Sequence, residues 1–359
     1  GVLQEVPVPS QLKRYQPAIV SRVKILSHLD IAEKRLPQDG RIKIRVDQGE
    51  VDVRVSVIPM LHGEAVVLRL LRQDAALRGM DELKMGERER RLFEAVLALP
   101  HGIMLVTGPT GSGKTTTLYS ALSEINDTVR KIITIEDPIE YYLRGINQIQ
   151  VSEKATLTFA RGLRSILRHD PDVILIGEIR DGETAQIAVQ ASLTGHLVFS
   201  TLHTNDAPGA LARLVDMGVE PYLVASSLEA ILAQRLVRVL CEECKEEDAS
   251  PTAGSLKKQM GFSPDQVLYR AVGCEACRQT GFFGRRGVFE MMELNDEIRQ
   301  LILIARSSGE IREVARRHGL RTLSEDGWRL VREGATTVDE VLRVTKDERR
   351  NGSPPESAG

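Results

Sequence analysis

The sequence lacks several features that would point to particular classes of protein. No stretch of about eighteen apolar residues occurs, so no segment of the sequence is suited to span a bilayer by itself. Basic residues are not in excess, since 48 Lys and Arg face 50 Asp and Glu and the formal net charge is −2. A chain without a basic excess is poorly suited to nucleic-acid binding by counterion release, so we expect no nucleic-acid partner.

A starting methionine and a signal peptide are also missing. The first residues resemble the interior of a protein, and we therefore expect a fragment that lacks an upstream domain. The chain has 359 residues, 42% hydrophobic and 27% charged, which is typical of an ordinary soluble protein of two or three domains. The polar tail at residues 351–359 has little to bury and is expected to be disordered.

A phosphate-binding loop is the most specific motif that is present. Residues 108–115 read Gly-Pro-Thr-Gly-Ser-Gly-Lys-Thr and stand between an apolar strand at 103–107 and a helical stretch at 114–122. Lys114 is expected to reach the β- and γ-phosphates and Thr115 to bind Mg²⁺. A chance glycine-rich turn is the alternative, but it would not require Lys-Thr in register. The predicted nucleotide-binding residues are Gly108, Pro109, Thr110, Gly111, Ser112, Gly113, Lys114, Thr115 and Thr116.

The front of the chain predicts a separate unit. A helical stretch near residues 17–29 precedes two alternating strands at 41–47 and 50–56, which a turn at 47–50 joins as a hairpin. The valines at 51, 53, 55 and 57 share one face, so Arg54 is expected to point away from the unit's core. A third strand at 65–71 carries Arg69, and residues 72–81 are interpreted as a linker.

Strands and helices alternate in the rest of the chain. Strands are predicted at residues 131–135, 173–176 and 197–201, with helical segments between them. This alternation is typical of a parallel sheet covered on both faces, and with the phosphate-binding loop it predicts an α/β fold with a RecA-like core. Near the end, Thr337 and Glu340 predict a capping box that opens a last helix, and Gly319 predicts the end of an earlier one.

Acidic side chains follow two of the predicted strands, at the sheet edge where ligands bind in such folds. Glu136 and Glu140 come after one strand and Glu178 after another, and Glu136 is included among the candidate nucleotide contacts. Glu140 and Glu178 are our candidates for orienting the attacking water and holding hydrated Mg²⁺, and solvated loop charge is the alternative for either alone. Gly177 stands where an aspartate commonly binds magnesium through water, so the metal would depend on Thr115, phosphates, water and Glu178.

Two histidines, His196 and His203, bracket the strand at 197–201. Histidine changes its charge near neutral pH, so either ring could sense the γ-phosphate or a neighbouring subunit. A packed structural role is the alternative. Both residues are included among the candidate nucleotide contacts.

All four cysteines fall into two Cys-x-x-Cys pairs, Cys241 with Cys244 and Cys274 with Cys277, separated by 29 residues. Each pair can supply two thiolates to one tetrahedral zinc ion. Disulfides or a redox centre are the alternatives, but the chain has a cytosolic character and no thioredoxin-like context. The spacing predicts a structural zinc site.

The chain resembles the secretion ATPase family of type II secretion and type IV pilus assembly over nearly its whole length. Residues 135–140 resemble the family's Asp box, residues 176–181 its atypical Walker B motif with glycine at 177, and residues 194–204 its His box. The front unit resembles the family's second N-terminal domain, a PAS-like α/β module. The stretches that carry this second resemblance are residues 36–41, 51–56 and 63–69.

The resemblance implies roles for particular residues. Glu140 would be the Asp-box catalytic glutamate and Glu178 the Walker B glutamate, while the front domain would bring Arg54 and Arg69 to the nucleotide site. An arginine that arrives only on closure would stabilise the transferring charge and couple hydrolysis to domain movement. For five further arginines, phosphate contact and surface or intersubunit ion pairing remain open: Arg161, Arg164, Arg168, Arg180 and Arg213.

The tetracysteine insertion is similar to that of secretion and extension ATPases, whereas retraction ATPases lack it. The resemblance therefore implies a cytoplasmic, Mg²⁺-dependent ATPase, expected to be a hexamer, that drives pseudopilus assembly in type II secretion. Platform and adaptor proteins would connect it to the inner membrane. A pilus-assembly motor is the alternative within the class, and a RecA-like DNA translocase or a nucleotide-gated scaffold would be alternatives from other classes.

The expected domain order follows from these assignments. The segments are the PAS-like domain at 1–72, a linker at 73–88, the ATPase core at 89–240, a zinc module at 241–290, a C-terminal helical region at 291–350 and the tail at 351–359.

Overall fold

The computed structural model describes residues 5–46, 49–72, 79–152, 155–250, 254, 257 and 261–345. Contacts divide the chain into two compact units. The first unit comprises Gly1–Ala76 with Glu140–Tyr142, and the second comprises Leu77–Ile139 with Leu143–Gly359. Residues 47–48 of the predicted turn, residues 73–78 of the predicted linker and the predicted tail lie outside the described residues.

The first unit is a three-stranded antiparallel sheet with one α-helix, α1 (Gln16–Leu26). The strands, in spatial order, are β1 (Gln38–Val46), β2 (Gly49–Met60) and β3 (Gly63–Arg72). Val53, Val55 and Val57 of β2 are buried together with Val20 of α1, as the alternation predicts. Arg54 therefore lies on the opposite face of the sheet, also as predicted.

The second unit is built on a seven-stranded sheet in the order β12-β9-β4-β8-β7-β5-β6. All its neighbouring strands are parallel except β12, which is antiparallel to β9. The strands are β4 (Gly102–Thr107), β5 (Ile132–Glu136), β6 (Asn147–Gln150), β7 (Val173–Ile176), β8 (Leu197–Leu202), β9 (Leu228–Leu240) and β12 (Phe282–Glu293). Every residue of β4, β5, β7 and β8 is buried, as expected for central strands of a parallel sheet. The predicted α/β class is confirmed.

Helices pack against this sheet and continue beyond its last strand. The α-helices described in the second unit are α2 (Glu87–Leu97), α3 (Lys114–Ile125), α4 (Phe159–Ile166), α5 (Gly182–Leu193), α6 (Ala207–Asp216), α7 (Pro221–Ser227), α8 (Asp296–Leu303), α9 (Ser308–Arg317), α10 (Leu323–Arg332) and α11 (Val338–Thr345). Across the described parts of both units, none of these helices has the length and apolar character needed to cross a membrane.

The ends of the C-terminal helices follow local side-chain chemistry. Capping boxes open α9 at Ser307 and α10 at Thr322, and Gly319 takes a φ of 85° just after α9, as its position predicts. At α11 the prediction is half right. Thr337 Oγ1 accepts a hydrogen bond from Glu340 N at 3.2 Å, but the Glu340 carboxylate binds arginine side chains instead of closing the box.

A small two-stranded sheet accompanies the cysteines. Its strands are β10 (Glu246–Glu247) and β11 (Tyr269–Arg270). The long strand β12 follows and belongs to the seven-stranded sheet, so the expected module boundary at residue 290 falls inside a strand of that sheet.

Candidate nucleotide site and cysteine cluster

The phosphate-binding loop joins the carboxyl end of β4 to the first turn of α3. Its three glycines have positive φ values, 150° at Gly108, 78° at Gly111 and 92° at Gly113. A Cβ on Gly108 would lie only 2.5 Å from the carbonyl oxygen of Gln234, so the loop has no room for a side chain there. Glycines with positive φ just before the first turn of a helix are typical of an anion-binding loop, in which backbone N–H groups face the ligand.

Lys114 is folded into this loop. Its Nζ donates to the carbonyl oxygens of Gly108, at 2.8 Å, and Pro109, at 3.1 Å. Burial lowers the pKa of the Lys114 ammonium; the charge of Glu178 opposes the shift and that of Arg235 adds to it.

The polar groups of the loop fit a nucleotide polyphosphate. Ser112 Oγ is buried and has no hydrogen-bond partner among the described residues. An orphan hydroxyl beside a buried ammonium and converging amides is what a phosphate group would satisfy. Thr115, the predicted Mg²⁺ ligand, is half-buried in the first turn of α3, and Thr116 beside it is exposed.

Glu178 lies at the same edge of the sheet, just after β7. Its Oε2 is 3.2 Å from His203 Nε2, and its Oε1 pairs with the guanidinium of Arg180, which also lies 3.5 Å from Asp137 Oδ2. Burial opposes ionisation of Glu178, but Arg180 and His203 outweigh it and lower the pKa of the carboxyl. The structure thus brings Glu178, His203 and the phosphate-binding loop together, and Glu178 is ionised at neutral pH.

His196 is not part of this site. It precedes β8, its backbone oxygen accepts from Gly102 N at 3.2 Å, and its Nδ1 lies 2.8 Å from the carbonyl oxygen of Ala191. The register of β4 and β8 runs from Gly102 opposite Leu197 to Thr107 opposite Leu202. His196 is therefore at the amino ends of the strands, about 17 Å from the loop that follows Thr107. Within this chain His196 therefore lies away from the phosphate-binding loop, and its contact with a nucleotide stays a prediction.

Glu136 ends β5 and is buried. Its carboxylate accepts from Thr134 Oγ1 at 2.6 Å, from Gln148 Nε2 at 3.2 Å and from the hydroxyl of Tyr119 on α3. These contacts fasten α3 to the sheet, so Glu136 supports the helix that carries Lys114.

In the first unit, Arg54 makes a two-point contact with Glu140. Nη2 lies 3.1 Å from Oε2 and Nη1 lies 3.4 Å from Oε1. Arg41 on β1 and Arg69 on β3 are the register partners of Arg54, and both are exposed. Three arginines therefore form a row across one face of this sheet.

The arginines left open by the sequence have local partners at the surface. Arg161 Nη1 donates to Thr156 Oγ1 at 2.9 Å, Arg164 pairs with Glu183 at 2.7 Å, and Arg168 Nη1 donates to the carbonyl oxygen of Arg164 at 2.9 Å. Arg213 is exposed on α6. Arg164 therefore makes a surface ion pair, while Arg161 and Arg168 make local hydrogen bonds.

Two residues beside the loop were not predicted, Gln234 and Arg235 of β9. Gln234 Oε1 accepts from Thr117 Oγ1 at 2.8 Å, and Arg235 Nη2 donates to the carbonyl oxygen of Asn205 at 2.9 Å. The only signal for them in the sequence is an uncharged amide and an arginine inside the apolar run Leu228–Val237.

The four cysteines converge as the spacing predicts. The Sγ atoms lie within 4.8 Å of one another, and three pairs of them, including Cys241 with Cys274, are 3.8 Å apart. Four thiolates at about 2.3 Å from one zinc ion in a tetrahedron are about 3.8 Å apart, so the cluster fits zinc. Burial opposes ionisation of Cys277, but the backbone N–H groups of Cys274 and Gly281 outweigh it and lower the pKa of the thiol to about 6.

The fold and the site define a class: a P-loop nucleotide-binding protein in which a carboxylate follows a neighbouring strand of a largely parallel sheet. The chain belongs to a family of secretion ATPases, because the family model described as "Type II/IV secretion system protein" matches residues 1–343.

Individual relatives agree with this family. The type II secretion system protein E of Pseudomonas aeruginosa is 55% identical over 348 residues, which are 97% of this chain and 69% of that protein. The type II secretion system ATPase E of Vibrio cholerae is 50% identical over 355 residues, which are 97% of this chain and 68% of that protein.

Solved structures show the same architecture. The pilus retraction motor PilT, crystallised with ADP, is 30% identical with a TM-score of 0.63 over 89% of this chain and 80% of PilT. The Legionella pneumophila ATPase DotB is 21% identical with a TM-score of 0.65 over 96% of this chain and 86% of its own, a likeness of fold.

Proposed function

We propose that this chain is the ATPase that drives pseudopilus assembly in a type II secretion system. The observation that carries the proposal is the placement of an ionised carboxylate, Glu178, at the same sheet edge as the buried ammonium of Lys114. The two relatives named above are type II secretion proteins by name, which supports the biological setting.

In the proposed reaction each residue has a limited task. Lys114 exchanges the carbonyl oxygens of Gly108 and Pro109 for phosphate oxygens, and Glu178 orients the attacking water. Mg²⁺ would be held by Thr115 and, through water, by Glu178, and would supply charge neutralisation at the phosphates. Zinc on the four cysteines would have a structural task.

We propose that the first unit couples ATP hydrolysis to domain movement. Arg54 and Arg69 would reach the nucleotide on closure, and Glu140 would then exchange its contact with Arg54 for the catalytic water. We further propose that the chain works as a cytoplasmic hexamer attached to the inner membrane by platform and adaptor proteins.

Steady-state release of phosphate from MgATP tests this function. We expect turnover that needs Mg²⁺, disappears in Lys114→Ala and persists in the control Lys131→Ala, which removes an exposed lysine ahead of β5. Addition of DNA should leave the rate unchanged. Hydrolysis stimulated by DNA would indicate a translocase, and ATP binding without any turnover would indicate a nucleotide-gated scaffold; either result contradicts the proposal.

A further inference from the structure

Strand β9 runs past the end of its neighbour β4. Thr107, the last residue of β4, is the register partner of Ala233, so Gln234 and Arg235 lie beside the phosphate-binding loop that follows Thr107. Successive residues of a strand point to opposite faces of the sheet. The two side chains can therefore reach two different parts of the loop from one short piece of backbone.

Gln234 reaches the end of the loop that begins α3. Its side chain is buried, and its Oε1 accepts from Thr117 Oγ1 at 2.8 Å. A Cβ on Gly113 would lie 2.7 Å from Gln234 Nε2, so the amide occupies the space that the missing side chain leaves. The Gln234 amide and Gly113 are thus fitted to each other where the first turn of the helix must present its N–H groups.

Arg235 reaches the start of the loop. The residue is only 7% exposed, and its Nη2 donates to Asn205 twice, to the carbonyl oxygen at 2.9 Å and to Oδ1 at 3.2 Å. A Cβ on Gly108 would lie 3.1 Å from Arg235 Nη1. One guanidinium therefore lies between the first glycine of the phosphate-binding loop and the segment that follows β8, and its Nη1 donates to the carbonyl oxygen of Gln234 at 3.2 Å.

The segment after β8 also carries His203, which contacts Glu178. It is fastened to the end of β4 by a 2.6 Å hydrogen bond between Thr107 Oγ1 and Thr204 Oγ1. Arg235 thus connects the two sides of the site: the loop that would hold the phosphates and the segment that holds the Glu178 contact. A buried guanidinium next to Lys114 also raises the local positive potential, which favours a polyanionic ligand.

We propose that Gln234 and Arg235 are positioning residues for the nucleotide, Gln234 by fixing the first turn of α3 and Arg235 by fixing Gly108 against Asn205 while adding a buried positive charge. This inference rests on the proposed function, because it assigns these residues to the same nucleotide. It makes Arg235 a determinant of polyphosphate affinity and of turnover.

Calorimetric titration of the full chain with ADP, together with MgATP turnover, tests this role. Arg235→Gln is expected to weaken ADP binding about tenfold, because it removes one buried positive charge beside the phosphate-binding loop. Arg235→Lys keeps the charge but cannot span Gly108 and Asn205, so it should bind ADP within about threefold of wild type while its kcat stays well below wild type. This split between affinity and turnover would not follow from a merely structural role.

The matched control is Arg238→Gln. Arg238 lies on the same strand as Arg235, but its side chain binds Glu340 and not the phosphate-binding loop. Arg238→Gln should lower thermal stability and leave ADP affinity unchanged.

Wild-type ADP affinity in Arg235→Gln, or an equal loss of ADP affinity in Arg238→Gln, overturns the inference while the proposed function stands. If Arg235→Gln does not fold, the inference is tested by Arg235→Lys, and a wild-type kcat in that variant overturns the inference. A wild-type chain that binds no adenine nucleotide would defeat the proposed function itself and, with it, this inference.

Discussion

At the scale of single residues, the nucleotide site balances two buried cations against one carboxylate. Lys114 and Arg235 are buried beside the phosphate-binding loop, and Glu178 supplies the opposing negative charge. Each oxygen of Glu178 has a side-chain partner, Arg180 on one and His203 on the other. These partners keep the carboxylate ionised, which is the form that can orient a water molecule or accept its proton.

Replacement of Glu178 by glutamine tests that role directly. Glutamine keeps the size and much of the hydrogen bonding but cannot accept a proton, so we expect kcat to fall by at least about 100-fold. Affinity for ATP should stay within about threefold of wild type, because the loop residues that bind phosphate are untouched. The measurements are phosphate release and equilibrium binding of ATP.

A matched control exists on the neighbouring helix. Glu183 is an exposed glutamate of α5 that pairs with Arg164 at 2.7 Å, and Glu183→Gln should leave kcat unchanged. Normal turnover in Glu178→Gln would remove this carboxylate from the mechanism.

Arg54 provides a second prediction at this scale. If it completes the site on closure, Arg54→Ala should lower kcat at least about tenfold, because arginines that stabilise transferring phosphate commonly contribute more than that. The first unit should remain folded, since Arg54 lies on the face opposite the core valines of β2.

Arg41→Ala serves as its control, because Arg41 is the exposed register partner of Arg54 on β1. Phosphate release and circular dichroism of both variants would separate loss of function from loss of fold. Identical kinetics in Arg54→Ala and wild type would contradict the assignment.

At the scale of elements, the sequence predicts the strands whose patterns are simple. Continuous apolar runs identify β4, β7 and β8, and alternation identifies β2. Strand β9 was not predicted, because Gln234, Arg235 and Arg238 interrupt its apolar pattern and no glycine or proline separates it from α7. Those polar residues are in the strand because they contact the loop and the last helix, contacts that no local pattern records.

The candidate site also combines residues that a local sequence pattern predicts with residues that it does not. The phosphate-binding loop is contiguous in sequence and could be predicted in full, whereas Arg235 reaches it only through the pairing of distant strands. His196 shows why a local pattern does not place a residue at the site. It brackets a strand just as His203 does, but the two ends of a parallel strand lie at opposite edges of the sheet, and only the carboxyl edge carries the loop.

The cysteine cluster supports a prediction for its own element. Cys274→Ser, or a strong chelator added to wild type, should release one zinc ion per chain and lower the melting temperature by about 5 °C or more, because metal ligation orders a segment with little core. Metal analysis and thermal denaturation before and after addition of zinc check this. Purified protein that holds no zinc and melts identically with chelator would contradict the assignment.

At the scale of the whole molecule, buried carboxylates attach the C-terminal helices of the second unit to its sheet. Asp326 of α10 accepts from Phe289 N of β12 at 2.9 Å, and Glu340 of α11 accepts from Arg238 N of β9 at 3.0 Å. A buried carboxylate whose pKa is lowered in the folded state, as that of Glu340 is, makes stability depend on pH. We therefore expect the second unit to lose stability in acid.

Glu340 shows the sign of this dependence most clearly. Burial favours its neutral form, but the guanidinium groups of Arg343 and Arg238 and the N–H of Arg238 outweigh burial and lower the pKa of the carboxyl to about 2. A folded pKa below the unfolded value stabilises the protein above the unfolded pKa. The contribution is lost as pH falls from about 4.5 toward 2.

The variant Glu340→Gln separates the contribution of Glu340 to the pH dependence of stability from the contributions of all other titrating groups. The difference from the ordinary pKa of 4.5 corresponds to about 3 kcal/mol, and solvent screening at the half-exposed Arg343 reduces the expected effect to about 1–2 kcal/mol at pH 7. Urea unfolding of wild type and variant from pH 7 to pH 2.5 should show a gap that narrows steadily below pH 4.5, because wild-type Glu340 becomes protonated in the unfolded chain first. A gap of constant size across this range would mean that packing of the side chain, not its charge, holds α11 to β9.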